Sequence, residues 1–299
     1  MTRGRTKSLF SRDSLAIRSG LMHAAPVKSF WPSVFFLSVL SSVAAEPLRL
    51  SEKTPHSKPG PYIQYRLDPE RSFTLEQVRE RPEDLSPLGR EMANFGYSKA
   101  AYWFRLKILN DQNAPAEYVL EMSYPAVDQV DFYTIRAHGN ATVQKAGDFR
   151  PYSERDIGHN NPAMQLSLGP LEGAEIWIRV ASGGSIVLPF HLYTRSEFLE
   201  KDALEKLFYG AYFGIMIIMF VYNFFLSLSL RSLTYLYYIL YIFFLGWMNL
   251  NLSGLGMRYL WPESPDFQNR SLPALVCLAI SSSMIFSARL LNSKQMMPV

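Results

Sequence analysis

Two tryptophan and arginine pairs stand out as residues whose spacing could do chemistry. Trp103 and Arg105 sit two apart in the run at 102–108, and Trp177 and Arg179 sit two apart in the run at 175–180. In an extended strand, residues two apart point to one face, so each pair shares a side. Tyr133 shares a face with Asp131 in a third run at 129–135. An aromatic ring beside a guanidinium suits sugar recognition, because rings stack on apolar C–H faces while arginine donates to hydroxyls or carboxylates. Trp103, Arg105, Tyr133, Trp177 and Arg179 are therefore the candidate ligand-binding residues. The alternative is that the tryptophans pack under loops and the arginines pair with nearby acids such as Glu121.

Other chemistry is poorly represented. His23, His56, His138, His159 and His191 have no metal-ligand spacing, and there is neither a phosphate-cradling glycine loop nor a serine in a Gly-x-Ser-x-Gly turn. No catalytic residue, metal or cofactor is expected, and the chain reads as a binder rather than an enzyme. Asn140 begins a glycosylation sequon with Thr142, a pattern short enough to arise by chance. The single cysteine, Cys277, has no partner for an intrachain disulfide.

These candidates need strands to hold them. Period-two alternation at 102–108, 117–122, 129–135, 163–168, 175–180 and 185–190, separated by turn residues such as Asn110-Asp111, His138-Gly139-Asn140, Gly169-Pro170 and Gly183-Gly184, predicts an antiparallel β-sandwich over 46–195. Residues 72–95 read as partly helical or irregular. The stretch at 196–206 has helical spacing and good helix formers, and it runs into an apolar segment as a connector able to pass motion onward.

The mean hydropathy of −0.02 hides a division of the 299 residues into unlike halves. Between 207 and 252 the only charged residue is Arg231. The run at 207–230, at about 1.5 Å per residue, exceeds a hydrocarbon core of about 30 Å. Runs at 233–252 and 271–288 predict two more spans, the last the weakest, since Pro273 suits only a first helical turn. Together they define a membrane region over 207–292 with a tail at 293–299. Gly210 and Gly214 form a small-xxx-small pair that fits close helix packing within one bundle or a homodimer seam.

The first 45 residues follow a leader pattern: a basic start, a short apolar core at 29–40, and Val43 and Ala45 at the positions preceding cleavage. Translation from Met1 or from Met22 fits equally. A leader puts the sandwich outside, Arg231 in a cytoplasmic turn, and Arg289 and Lys294 inside. The 253–270 loop then lies outside, with Tyr259 and Trp261 at belt positions. The net charge of +4 is partly due to the basic leader, so no nucleic-acid partner is expected.

In order and spacing, several stretches resemble one family: Tyr102-Trp-Phe-Arg105, Glu121 to Pro125 followed by Val130 to Tyr133, Ala146-Gly-Asp148, Ile176 to Arg179 leading to Ser182-Gly-Gly-Ser185, 210–223, Tyr235 to Tyr238, and Tyr259 to Pro262. The sequence resembles, over about 48–292, bacterial seven-transmembrane receptors with diverse intracellular signalling modules, in the subgroup with a carbohydrate-binding-like jelly-roll sensor. The resemblance implies an all-β jelly-roll or β-sandwich ectodomain followed by transmembrane helices in the bacterial inner membrane. It implies signal transduction on binding a small molecule such as a carbohydrate, with the lipid bilayer and a separate signalling protein or a second copy as partners. The family has seven spans and a cytoplasmic output, whereas three spans are legible here, so output activity is expected to lie outside these residues. The competing expectation is a truncated membrane-anchored accessory protein that binds without signalling.

Overall fold

The computed structural model describes residues 46–51, 56–136 and 141–291. The expected leader, the turn at 138–140, the sequon asparagine and the tail at 293–299 lie outside the described residues.

Twelve strands build two facing sheets: β1 Leu48–Leu50, β2 His56–Ser57, β3 Gln64–Asp68, β4 Ser86–Pro87, β5 Met92–Tyr97, β6 Ala101–Asn110, β7 Ala116–Met122, β8 Gln129–Arg136, β9 Thr142–Ala146, β10 Ala163–Leu168, β11 Gly173–Ala181 and β12 Ser185–Thr194. All six alternating runs form strands. The first sheet runs β4-β3-β6-β11-β8-β9, with β1 added to β6. The second runs β10-β7-β12-β2, with β5 added to β12. From β6 to β12 the chain passes repeatedly from one sheet to the other, the winding of a jelly roll. Every pairing is antiparallel except that of β1 with β6, which is parallel.

Alternation fills the space between the sheets. Tyr102, Phe104, Leu106 and Ile108 of β6 meet Tyr118, Leu120 and Met122 of β7 and Ile186, Leu188, Phe190 and Leu192 of β12 in one buried core. Such burial stabilises each large apolar side chain by about 1.5–3 kcal/mol. The opposite residues of β6 and β11 point to the outer face of the first sheet. There residues 73–85 form a roof, with the short helix α1 (Leu75–Arg79) at its centre. Thr74 caps α1 in a reciprocal capping box with Gln77, and the buried Asp68 carboxylate accepts from the backbone N–H groups of Ser72 and Phe73. Residues 72–95 are thus partly helical as expected, but their end forms β4 and β5.

Thr194 closes β12 and caps the next helix through a second capping box with Glu197. That helix, α2 (Arg195–Leu230), is followed by α3 (Leu233–Leu252), the short α4 (Leu255–Tyr259) and α5 (Pro265–Leu290). Among the described residues α2, α3 and α5 are long and apolar enough to cross a membrane. The third span differs from expectation: its helix begins at Pro265, so Pro273 lies inside it. A membrane helix tolerates the missing N–H where its neighbours compensate locally. Among the described residues, apart from the adjacent backbone of α2 itself, no atom lies within 4 Å of where a side chain at Gly210 or Gly214 would begin. Among the described residues this pair is not packed against another helix.

Candidate functional site

The register of β6, β11 and β8 fixes the outer face as a lattice. Trp177 stands opposite Arg105 on one side and Tyr133 on the other, and Arg179 stands between Trp103 and Asp131. The five sequence candidates therefore lie together. Trp103 stacks against Tyr133 at 5.7 Å between ring centres, and the Arg105 guanidinium lies 5.4 Å from the centre of the Trp177 ring.

The rings, however, are covered. Trp103 and Trp177 are each 1% exposed, packed beneath Leu75, Val78 and Leu85 of the roof. An open stacking platform of both tryptophans is therefore corrected to a roofed aromatic layer, because the apolar face of α1 has its own surface to bury. The arginines are paired, though not with Glu121: Arg105 bonds to Glu175, and Arg179 lies 3.9 Å from Asp131 and donates to the Arg71 carbonyl. Asp131 is held more closely by Arg150, at 2.6 Å.

Two observations keep this face a candidate. Neither indole N–H has an acceptor although both are buried, and an unmade buried bond costs about 1–3 kcal/mol. Trp177 also lines an open groove of about 430 Å³ beside α1, walled by Glu76, Arg79, Glu80, Arg105 and Glu175. A pocket of this size with a few convergent polar groups suits a small ligand. A second groove, about 440 Å³ between α2 and α3, is lined by apolar residues including Phe213, Phe220, Phe243 and Trp247, and it offers no polar specificity.

A second constellation, unseen in the sequence, joins the sandwich to the membrane helices. Tyr118, Leu120 and Met122 of β7 face the core, so Val119 and Glu121 face outward, where α2 covers them. Phe198 of α2 packs on Val119 and Ala163. The Glu121 side chain is 0% exposed, with Lys201 Nζ 3.0 Å from each of its oxygens and Asn161 donating to it at 2.6 Å. His159, 1% exposed, lies 3.4 Å from Glu121 through Nε2 and bonds to Asp202 through Nδ1 at 3.1 Å. Burial alone would push Glu121 up, but the His159 ring, the Lys201 ammonium and the Asn161 amide hold its carboxyl down to about 2.

The same cluster reaches the connection between α3 and α5. Arg258 of α4 lies 3.7 Å from Asp202 and donates to Asn160 at 3.2 Å. Tyr152 donates its backbone N–H to the Pro262 carbonyl at 2.7 Å, and Asn269 donates to the Asp148 carbonyl at 2.9 Å. Gly254, with φ of 73°, allows close approach: a Cβ there would stand 3.2 Å from the Asn160 carbonyl oxygen. These contacts put the α3–α5 connection on the same side as the sandwich, in keeping with the expected orientation. Asp148 is buried beside them, and burial together with the Asp128 charge pushes its carboxyl up to about 7. No local motif marks His159, and nothing in the 121–125 stretch marks Glu121 as its partner. The only hint is the charge-rich spacing of Lys201, Asp202, Glu205 and Lys206 just ahead of an uncharged span.

Comparison with known proteins agrees with this division of the chain. The family model described as 7TMR-DISM extracellular 2 matches residues 60–194, and that described as 7TM diverse intracellular signalling matches residues 205–298. No curated protein matches the sequence. Among solved structures, similarity is found to TmCBM61 in complex with beta-1,4-galactotriose, with 10% identity over 44% of this chain and 88% of that chain and a TM-score of 0.23. It is found also to CBM35 from Cellvibrio japonicus Abf62, with 9% identity over 34% and 70% of the two chains and a TM-score of 0.20. The GH31 alpha-xylosidase from Xanthomonas citri gives 9% identity over 44% of this chain and 16% of that chain, with a TM-score of 0.20. With the extracellular module of one family spanning the sandwich and its membrane module spanning the helices, the chain belongs to the seven-transmembrane receptors with diverse intracellular signalling modules.

Proposed function

We propose that the chain is the sensing part of a receptor in the bacterial inner membrane, acting by binding rather than by catalysis. Its sandwich takes up an extracytoplasmic small molecule, a carbohydrate, in the groove beside α1, and α2 carries the response into the bilayer. The observation behind this reading is the continuity of α2. One helix begins at the last strand of the sandwich and runs to the end of the first apolar span, and its first turns are paired with β7 through Lys201 and with α4 through Asp202. A ligand that favours one arrangement of the sandwich over another therefore biases the helix to the extent of its differential affinity. The galactotriose in the TmCBM61 complex belongs to that protein and serves here only to suggest which glycans to try first.

The test uses the full chain in lipid nanodiscs with a fluorophore at position 231, where α2 ends. Neutral and charged oligosaccharides are screened for a rise in the melting temperature of the sandwich, and each binder is then examined for a change in the fluorophore signal. A glycan that does both supports a sensor. Binding with an unchanged probe would favour an accessory binding protein, and the absence of any binder would overturn the reading.

A further inference from the structure

The groove beside α1 changes character along its length. Next to Trp177 its walls are mixed, with Glu76, Glu80 and Glu175 against Arg79 and Arg105. It continues into a space of about 580 Å³ that shares Arg79, Arg105 and Glu175 and adds Lys107 and Arg136. Four basic side chains there meet one carboxylate among the described lining residues. That carboxylate is already engaged, since Glu175 is bonded to Arg105. Arg136 lies 3.3 Å from Glu172. Lys107 stands across the ladder from Glu175, yet neither Lys107 nor Arg79 makes an ion pair among the described residues. The basic end therefore holds Lys107 on the sheet and Arg79 at the last turn of α1, where Arg79 has Glu76 as its nearby opposite charge.

Resting on the reading of this groove as the sensing site, we propose that it selects an acidic saccharide, one bearing a carboxylate on the sugar. The sugar hydroxyls donate to Glu76, Glu80 and Glu175 and accept from Arg105, a two-way exchange that a hydroxyl can make and a simple acid cannot. The carboxylate lies against Lys107 and Arg79, where charge-assisted bonds are about twice as strong as neutral ones. A neutral sugar leaves that end of the groove unused.

The test compares acids with their own uncharged forms. Oligomers of galacturonate and hyaluronan, each also as its methyl ester, are titrated against the full chain in nanodiscs, beside a neutral galacto-oligosaccharide. At least one acid should bind about tenfold more tightly than its ester, a difference of about 1.4 kcal/mol. The gap should narrow between about 50 and about 300 mM salt, since exposed charges are screened. Lys107→Met should bring the acid close to its ester, whereas Lys107→Arg should keep the preference. Equal affinity for acid and ester, or preference for the neutral oligomer, would overturn the charge proposal while leaving the sensor reading in place. Binding of no glycan at all would overturn both. A preference that persists in Lys107→Met with unchanged salt dependence would place the acid elsewhere and overturn this assignment.

Discussion

Glu121→Gln is the substitution that tests the junction most directly. The carboxylate is fully enclosed, and its titration is held down to about 2 against an ordinary value of 4.5. The lowered value means that the folded state favours the charged form. Its stabilisation is therefore present above pH 4.5 and is lost as pH falls toward 2. The shift corresponds to about 3 kcal/mol, in line with the roughly 3–5 kcal/mol lost when one partner of a buried ion pair is removed. Glutamine keeps the shape and loses the charge. Lys201 retains Glu205 at 2.7 Å, and His159 retains Asp202. Denaturant unfolding of the sandwich in nanodiscs, followed by near-ultraviolet circular dichroism, should find the variant less stable by about 3 kcal/mol near neutral pH, with the difference shrinking toward zero as pH approaches 2. A variant as stable as the wild type at pH 7, or a difference that does not change between pH 5 and 2, would refute the claim that charge pairing holds Glu121 in place.

Two further substitutions have opposite signs. Asp148→Asn should stabilise the protein above pH 7 by up to about 4 kcal/mol and change little below about pH 4, because the raised titration to about 7 means that its neutral form is the one favoured on folding; unfolding at pH 4 and 8 checks both limbs. Trp177→Ala should cost about 3–5 kcal/mol of sandwich stability, as a large-to-small change beneath the α1 roof; a thermal melt with little shift would show that the ring is not a packing element.

The strands that carry the candidate face were legible because their alternation is regular and one side of each is buried. Trp103 and Arg105, and likewise Trp177 and Arg179, could be assigned to a shared side of their strand from spacing alone, and the register of β6 with β11 puts the two pairs on one face as neighbours. Their covering was not legible. Whether a tryptophan on the outer face meets solvent or a roof depends on where Leu75, Val78 and Leu85 dock, a tertiary contact with no local signature. Short elements were missed for a related reason: β3, β4 and β9 have too few residues to establish a period, and β5 contains Gly96 at positive φ beside a register shift. The His159 cluster draws on a loop, β7, α2 and α4, so no window of sequence contains it. Helix α2 was foreseen from both sides, as a connector and as a span, because good helix formers run without a break into an uncharged run.

The position of β12 has a consequence for how the protein is made. This strand pairs with β2, β5 and β7 and lies inside the second sheet, yet it is the last strand of the sandwich to leave the ribosome. Until it arrives, β5 has no partner strand and β7 is paired on one side only, with β10, and unpaired edges invite association with other chains. No linker separates β12 from α2, so the strand becomes available only as the first span reaches the translocation machinery. The sandwich must then close while tethered at the bilayer surface, through pairings distant in sequence, which form slowly. Tethering limits encounters with other unfinished chains during that interval, and a chain cut before β12 would lose both its membrane anchor and the strand on which its second sheet depends.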